Sequence, residues 1–462
     1  MRSDFLALGY AVLSPCLCHG QTWSAVGDGV HGRVAAMVEY DGQLYVSGQG
    51  FFSTGDGIGI VKWNGSEFEA LPGMDMFGSH RIEAMAVHDG LLYVGGAFQS
   101  ANGTFGSISD YVASWDGSTW STVGAGFDNV VYSLHEYQGD LYAGGDFYQS
   151  GDSIVRMVGR WDGAQWRSTS TGMTNNGRVA AMKEFQGVLY AAGNFHNNTL
   201  DTYCIARWDG TSWSTLGGAG IEIGLYALEI YDEQLVVVGV DYHEASGMPV
   251  NGLASWDGAA WSTFDAYDDA QEQLGLAAAI YHGDLYVGGD FPTIGGLPIK
   301  GITRYDGAQW QPVGSGLDST GINTDTLIWS PGDTLFIQAP HRVNAMMEYQ
   351  GDLYVGGRFN MIGGVEAHDI AKWNLPVGLG ADPLGIAVRL YPNPATNALN
   401  LEVPPGSVLS MLRIFDSTGR IVVQEDHPRH GPIDTGHLPD GMYLVQVNIG
   451  DGWVRNSFSV FH

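Results

Sequence analysis

The sequence predicts an all-β chain: a closed ring of seven four-stranded units, followed by a small β-sandwich. Three observations carry that expectation. An aromatic residue in a Leu-x-x-x-Gly run recurs at Tyr45, Tyr93, Tyr142, Tyr190, Tyr286 and Tyr354, with Val236 in one copy. A second aromatic follows each of them, at Trp63, Trp115, Trp161, Trp208, Trp256 and Trp373, with Tyr305 in one copy. Successive spacings of the first marker are 48, 49, 48, 46, 50 and 68 residues. A four-stranded unit repeated at that period is the signature of a β-propeller blade.

One unit, VYSLHEYQGDLYAGGDFYQSGDSIVRMVGRWDGAQW from Val131 to Trp166, shows the logic. Tyr137-Gln138-Gly139-Asp140 separates two alternating apolar runs, and Asp162-Gly163 lies before Trp166. Such turns between β-formers read as hairpins, because their central residues need positive φ. The four strands are lettered A (inner) to D (outer). Strand D aromatics stand at Phe68, Trp120, Trp166, Trp213, Trp261 and Trp310, one short of seven. The missing copy is at the other end, where Trp23-Ser24-Ala25-Val26-Gly27 matches Trp120-Ser121-Thr122-Val123-Gly124. An N-terminal strand is therefore expected to complete the last blade and remove an exposed sheet edge. Blades 1 to 6 are expected within 34–310 and blade 7 from 343 to 373, giving a propeller over 21–374. Blade 7 follows a hairpin insertion at about 318–341, around Ser330-Pro331-Gly332-Asp333.

Composition narrows the function. The 462 residues hold 68 glycines, which suit a tight turn in every blade. Acidic residues outnumber basic ones 50 to 20, a formal charge of −30. That argues against nucleic acid and anionic membranes as partners, since both are bound through Lys and Arg. Residues 1–20 read as a signal peptide: Arg2, an apolar run from Phe5 to Leu13, and small residues at Cys18 and Gly20 before Gln21. The competing reading is an ordinary buried N-terminal strand. No other run approaches the roughly 20 apolar residues of a membrane span. Cys16 and Cys18 leave with such a leader, so Cys204 is expected alone, as a small buried hydrophobe.

In a propeller the D–A and B–C connections share one face. The B–C segments here differ in every blade, from GFFSTGDGIG to NMIGGVEAH, and variable loops on a rigid scaffold are where binding residues usually sit. After Trp373 the pattern stops. A Gly- and Pro-bearing linker at 375–387 precedes a small all-β unit at 388–462. Tyr391-Pro392-Asn393-Pro394, Ile414-Phe415-Asp416 with Gly419-Arg420, and Leu438-Pro439-Asp440-Gly441-Met442-Tyr443-Leu444 stand there in order. This unit resembles the type A C-terminal sorting domain of the type IX (Por) secretion system of Bacteroidota. The resemblance implies passage through the periplasm, engagement of the secretion machinery, export, and removal of the domain at the surface. Where many such domains end in a Lys-rich strand, this one ends Phe458-Ser459-Val460-Phe461-His462. The blades themselves resemble the kelch-like and delta-60-type repeats of secreted proteins, a likeness that fixes no activity.

No G-x-S-x-G, H-E-x-x-H, phosphate loop or C-x-x-C occurs, and His135-Glu136 and His243-Glu244 lack the second histidine of a zinc protease. Cys204 offers no partner for the copper and Tyr–Cys chemistry of the secreted kelch oxidase. No cofactor is expected. The sharper signal is a repeated arginine ahead of strand A: Arg33, Arg81, Arg178 and Arg342, with His31, His80 and His341 within two residues of three of them. Guanidinium groups ringing a channel mouth suit a carboxylate or other anion. The plainer expectation is local pairing with carboxylates such as Asp146 or Asp290. Asp265, Asp268, Asp269 and Glu272 form an acidic loop with oxygen ligands for Ca²⁺, without the EF-hand spacing; a solvated loop is the default. Two function classes follow. One is a secreted or surface binding module for glycan or protein. The other is an extracellular glycan hydrolase or lyase with its site at the channel mouth.

Overall fold

The computed structural model describes residues 22–51, 58–72, 81–98, 110–169, 177–197, 202–216, 221, 224–240, 244–245, 248–249, 252–264, 274–294, 296–318, 324–330, 333–338, 341–374, 389–392, 395–403, 409–416, 420–426, 428, 431–449 and 452–461. These residues form strands and connections, with no helix among them. Seven four-stranded antiparallel sheets follow one another between 22 and 374. Their inner strands are Arg33–Tyr40, Arg81–His88, Val131–Tyr137, Gly177–Phe185, Leu225–Tyr231, Leu274–Tyr281 and Arg342–Tyr349. Each inner strand packs on the next, and the seventh packs on the first. The strands therefore close a ring, with blades numbered 1 to 7 in that order.

The outermost strand of blade 7 comes from the start of the chain. Thr22–Ala25 pairs antiparallel with Ile370–Asn374, setting Trp23 opposite Trp373. The two rings lie 4.9 Å apart, tilted, as Trp115 and Trp120 do at 5.0 Å. Trp23 Nε1–H donates to Val313 O of blade 6, and Trp166 Nε1–H donates likewise to Val123 O of the preceding blade. On the opposite edge, Tyr137 O–H donates to Gly187 O of the following blade, and Tyr349 O–H to Gly42 O across the closure. A buried aromatic donor usually finds a partner. These four find one in the neighbouring blade and tie the apolar stripe of one blade to the next, while the indole N–H groups of Trp115, Trp208, Trp256, Trp261 and Trp373 are buried with no hydrogen-bond partner among the described residues.

Turn chemistry explains the spacing. All seven A–B turns hold positive φ at both central residues, for example Gln138 at 52° and Gly139 at 82°. That is the primed hairpin turn whose twist matches its strands. The C–D turns are the Asp-Gly-x-x segments between strands C and D. Trp161 pairs with Trp166, leaving four loop residues. Asp162 Oδ1 accepts from Ala164 N–H at 3.0 Å and Gln165 N–H at 2.8 Å, and Asp116, Asp209, Asp257 and Asp306 do the same in their blades. In blade 1 the neutral Asn64 takes this role.

The D–A and B–C connections meet on one face. Asp128 Oδ1 accepts from Tyr148 and Gln149 N–H, and His368 O accepts from Val30 N–H. The extra segment before blade 7 is a two-stranded hairpin, Thr324–Ser330 with Asp333–Gln338. Beyond residue 388, a three-stranded and a four-stranded sheet form a sandwich. Leu399 and Ile433 from one sheet share a core with Leu412, Ile414, Val445 and Val447 from the other. Residues 1–20, which carry the signal-peptide expectation, lie outside the described residues.

Trp23→Ala should cost about 3–5 kcal/mol, the usual range for emptying a buried tryptophan site, and should promote self-association through the loosened edge. Urea unfolding and light scattering check this. A second expectation concerns acid. Asp162's carboxyl is held at about 2, against an ordinary 3.8, by Gln165 N–H first, then Arg167 and Ala164 N–H. Asp116 is lowered further still, chiefly by Thr119. A depressed carboxyl contributes stability above its unfolded pKa and loses it as pH falls through the folded one. Paired D116N and D162N substitutions should therefore leave the turns formed, as Asn64 does, and flatten the fall in urea midpoint between about pH 4 and pH 2.

Candidate functional site

All seven inner strands carry a β-bulge near their start. It skips Ala35, Glu83, Tyr132, Ala180, Tyr226, Leu276 and Asn344 in blades 1 to 7. A bulge leaves one residue unpaired and re-aims its side chain. The four arginines lie two positions ahead of this residue. Arg33, Arg81 and Arg342 are the first residues of their strands and Arg178 the second, rather than lying before the strand.

The glycine pair of strand B explains why the mouth is built this way. A Cβ on Gly357 would come within 2.0 Å of Arg342 O, and one on Gly356 within 2.4 Å of the Val34 side chain in blade 1. The Gly357 position is glycine in all seven blades, whereas that of Gly356 is Ser47, Ala192 and Val238 in blades 1, 4 and 5, so backbone crowds the mouth and the bulged and arginine side chains decide its chemistry.

The structure brings three of the four arginines together and separates the fourth. Arg33 Nη2 reaches forward to Glu83 Oε1 of blade 2 at 2.6 Å, and Arg81 Nε donates to the same oxygen at 2.5 Å. Arg342 joins this group electrostatically. Burial lowers its pKa first, then repulsion from Arg33 and Arg358, while Asp290 and Glu83 oppose. Arg358 stands opposite Arg342 in the ladder. Arg178 sits apart, with its Cζ 5.1 Å from the Tyr132 ring centre and 5.6 Å from that of Tyr226, and its Nη2 donates to Tyr226 Oη at 3.4 Å. Cation–π contact and one hydrogen bond hold it there.

Of the carboxylates expected to pair with the arginines, Asp290 is raised by burial and opposed by Arg342 and His341. Asp146 is raised by burial and opposed by Arg178. The carboxylate that directly bridges is Glu83. His31 takes another partner: its ring stacks on His368 at 4.2 Å, and desolvation, followed by His368's charge, lowers its pKa. His80 and the acidic loop Asp265, Asp268, Asp269 and Glu272 lie outside the described residues. Among the described residues, no group of three or more His, Cys, Asp or Glu side chains is arranged to hold a metal ion. Cys204 is buried, and burial pushes its thiol up to about 11, so it stays protonated at neutral pH.

Sequence reasoning missed Glu83, Tyr132, Tyr226 and Arg358. Reading two residues beyond each arginine, or beyond Val130 and Gly224 in the arginine-less blades 3 and 5, finds the first three.

Fold and site define a β-propeller with a charged channel mouth, carried on a chain with a separate C-terminal sandwich. That sandwich has a family: residues 389–459 match the family described as "Secretion system C-terminal sorting domain". The tail marks its bearer for the type IX route, with export to the cell surface or extracellular space. No protein of curated function matches the chain. Among solved structures, the WD40 β-propeller domain of Doa1 is 12% identical over 77% of this chain and 97% of that one, with a TM-score of 0.43. Sqt1 of Saccharomyces cerevisiae is 10% identical over 96% and 100%, with a TM-score of 0.41. At such scores the likenesses carry no argument, and the propeller rests on the strand pairing itself. No helix of the described residues is long and apolar enough to cross a membrane.

Glu83→Gln should be more damaging than Arg81→Gln, because it leaves Arg33, Arg81 and Arg342 facing one another. A loss of about 2–3 kcal/mol is expected for so enclosed a carboxylate, partly recovered at high salt. Thermal unfolding of both variants, at two salt concentrations, checks the order and the salt effect.

Proposed function

We propose that this protein is an exported, non-catalytic binding module that takes an anionic glycan at the channel mouth. The organisation read here is a leader at 1–20, a kelch-like ring at 21–374, a tether at 375–387 and the sorting domain at 388–462. The observation that carries the reading is the excess of guanidinium over carboxylate where blades 7, 1 and 2 meet. Two arginines share one Glu83 oxygen, and Arg342, close to them and repelled by Arg33, adds a charge opposed by Asp290 and the same Glu83. In a chain of net charge −30, such an island focuses field at a concave opening and draws an anion against the overall repulsion. Bulged Tyr132 and Tyr226, engaged with Arg178, give the other side of the mouth an aromatic lining.

A polysaccharide array of acidic and neutral glycans, run beside a reducing-end assay, tests the reading. Acidic glycans alone should bind, and binding should weaken steeply from about 0.05 to about 0.5 M salt as screening shortens. The R33Q/R81Q double variant should bind at least tenfold more weakly. Release of reducing ends, or of unsaturated products, would assign the glycan hydrolase or lyase instead. Retention of proteins but of no glycan would replace the ligand class.

A further inference from the structure

Two of the four arginines reach across a blade junction to the bulged residue of the following blade. Arg33 of blade 1 bonds the bulged residue of blade 2, Glu83, and Arg178 of blade 4 bonds the bulged residue of blade 5, Tyr226. Arg81 bonds the bulged residue of its own blade instead, and the forward step taken by Arg33 and Arg178 would set Arg342 of blade 7 against the bulged residue of blade 1. That residue is Ala35, whose methyl group can accept nothing. The Arg342 Nε is shielded from solvent and has no hydrogen-bond partner among the described residues. Its electrostatic partners include Arg33 and Glu83, so the side chain shares their sector of the mouth. Leaving a buried donor unmade is costly, and more so for a charged group. The fold also displays the chemistry that satisfies such a group, since at the next junction two guanidinium groups close on a single carboxylate oxygen.

We propose that the blade 7–blade 1 junction is a carboxylate subsite, in which Arg342 receives the carboxylate of a uronic acid residue at the place a Glu83-like side chain would fill. This rests on the anionic-glycan reading and sharpens it to one group and one residue. A planar two-oxygen group suits guanidinium better than a tetrahedral one, because two parallel N–H···O bonds form at once. Asn344, the bulged residue of blade 7, donates to Val34 O, which fixes the inner strands on both sides of the gap. Asp290 bounds the subsite electrostatically and limits the charge it takes to a single carboxylate.

The test supplies the missing side chain from within. Ala35→Glu in the intact protein should place a carboxylate beside Arg342, raise the thermal midpoint and abolish binding of trigalacturonate, measured by calorimetry. R342Q should weaken the same probe by at least tenfold without that rise in midpoint, and it decides the matter if A35E does not fold. Arg160→Gln, at the surface pair with Asp140, serves as the control. A sulfated galactose trisaccharide should bind more weakly than trigalacturonate; equal or tighter binding overturns the carboxylate assignment. Undiminished trigalacturonate binding by A35E and R342Q, alongside its loss in R33Q/R81Q, would overturn this subsite and leave the wider reading standing. Failure of every acidic glycan to bind the unaltered protein would remove both.

Discussion

Everything at the centre of this molecule depends on how closely seven strands can approach an axis. Strand B keeps a glycine against the inner strand's own carbonyl in every blade, and in blades 2, 3, 6 and 7 a second glycine before it meets the next blade's β-branched residue. Pressed from that side, the inner strand bulges. The bulge turns one side chain per blade toward the mouth and leaves another, two residues earlier, beside it. Backbone crowding thus generates the candidate site, and the repeat supplies it seven times with freedom to vary.

Variation at those positions breaks the symmetry. Among the described residues, blades 7, 1 and 2 gather Arg342, Arg33 and Arg81 around Glu83, whereas blades 3 to 5 enclose a single arginine of this set between tyrosines. Local pairing and ligand capture are therefore not alternatives for the set as a whole. Arg178 is largely satisfied internally, Arg33 and Arg81 share what one would use, and Arg342 is left over. Such a gradient of satisfaction tells structural arginines from available ones more sharply than exposure does.

Much of the fold was legible because its determinants are periodic. Trp161 and Trp166, or Tyr137 and Gly139, recur at fixed offsets, and the stray Trp23 announced the closing strand by matching Trp120. The arginines were visible for the same reason. Their partners were not, because a bulge shifts the two-residue alternation by one, and Glu83, Tyr132 and Tyr226 then fall on the side that simple alternation assigns elsewhere. The C–D loops were legible as Asp-Gly-x-x segments, and what the sequence did not show is the Asp side chain accepting two backbone N–H groups.

Closure by Trp23 bears on when the protein becomes itself. Its strand pairs Thr22 with Asn374, so the ring's last joint is the longest-range pairing among the described residues of the propeller. Loop-closure entropy must be met before that contact returns anything, which makes it a late event in folding. A chain still emerging through a translocation pore lacks blade 7, and its first strand has nothing to pair with. The open arc is then extensible and unlatched, and it locks only when synthesis and passage are complete. Once latched, opening requires the edge strand and the indole contact to break together, so resistance to extracellular proteases is governed by the unfolding rate rather than by equilibrium stability.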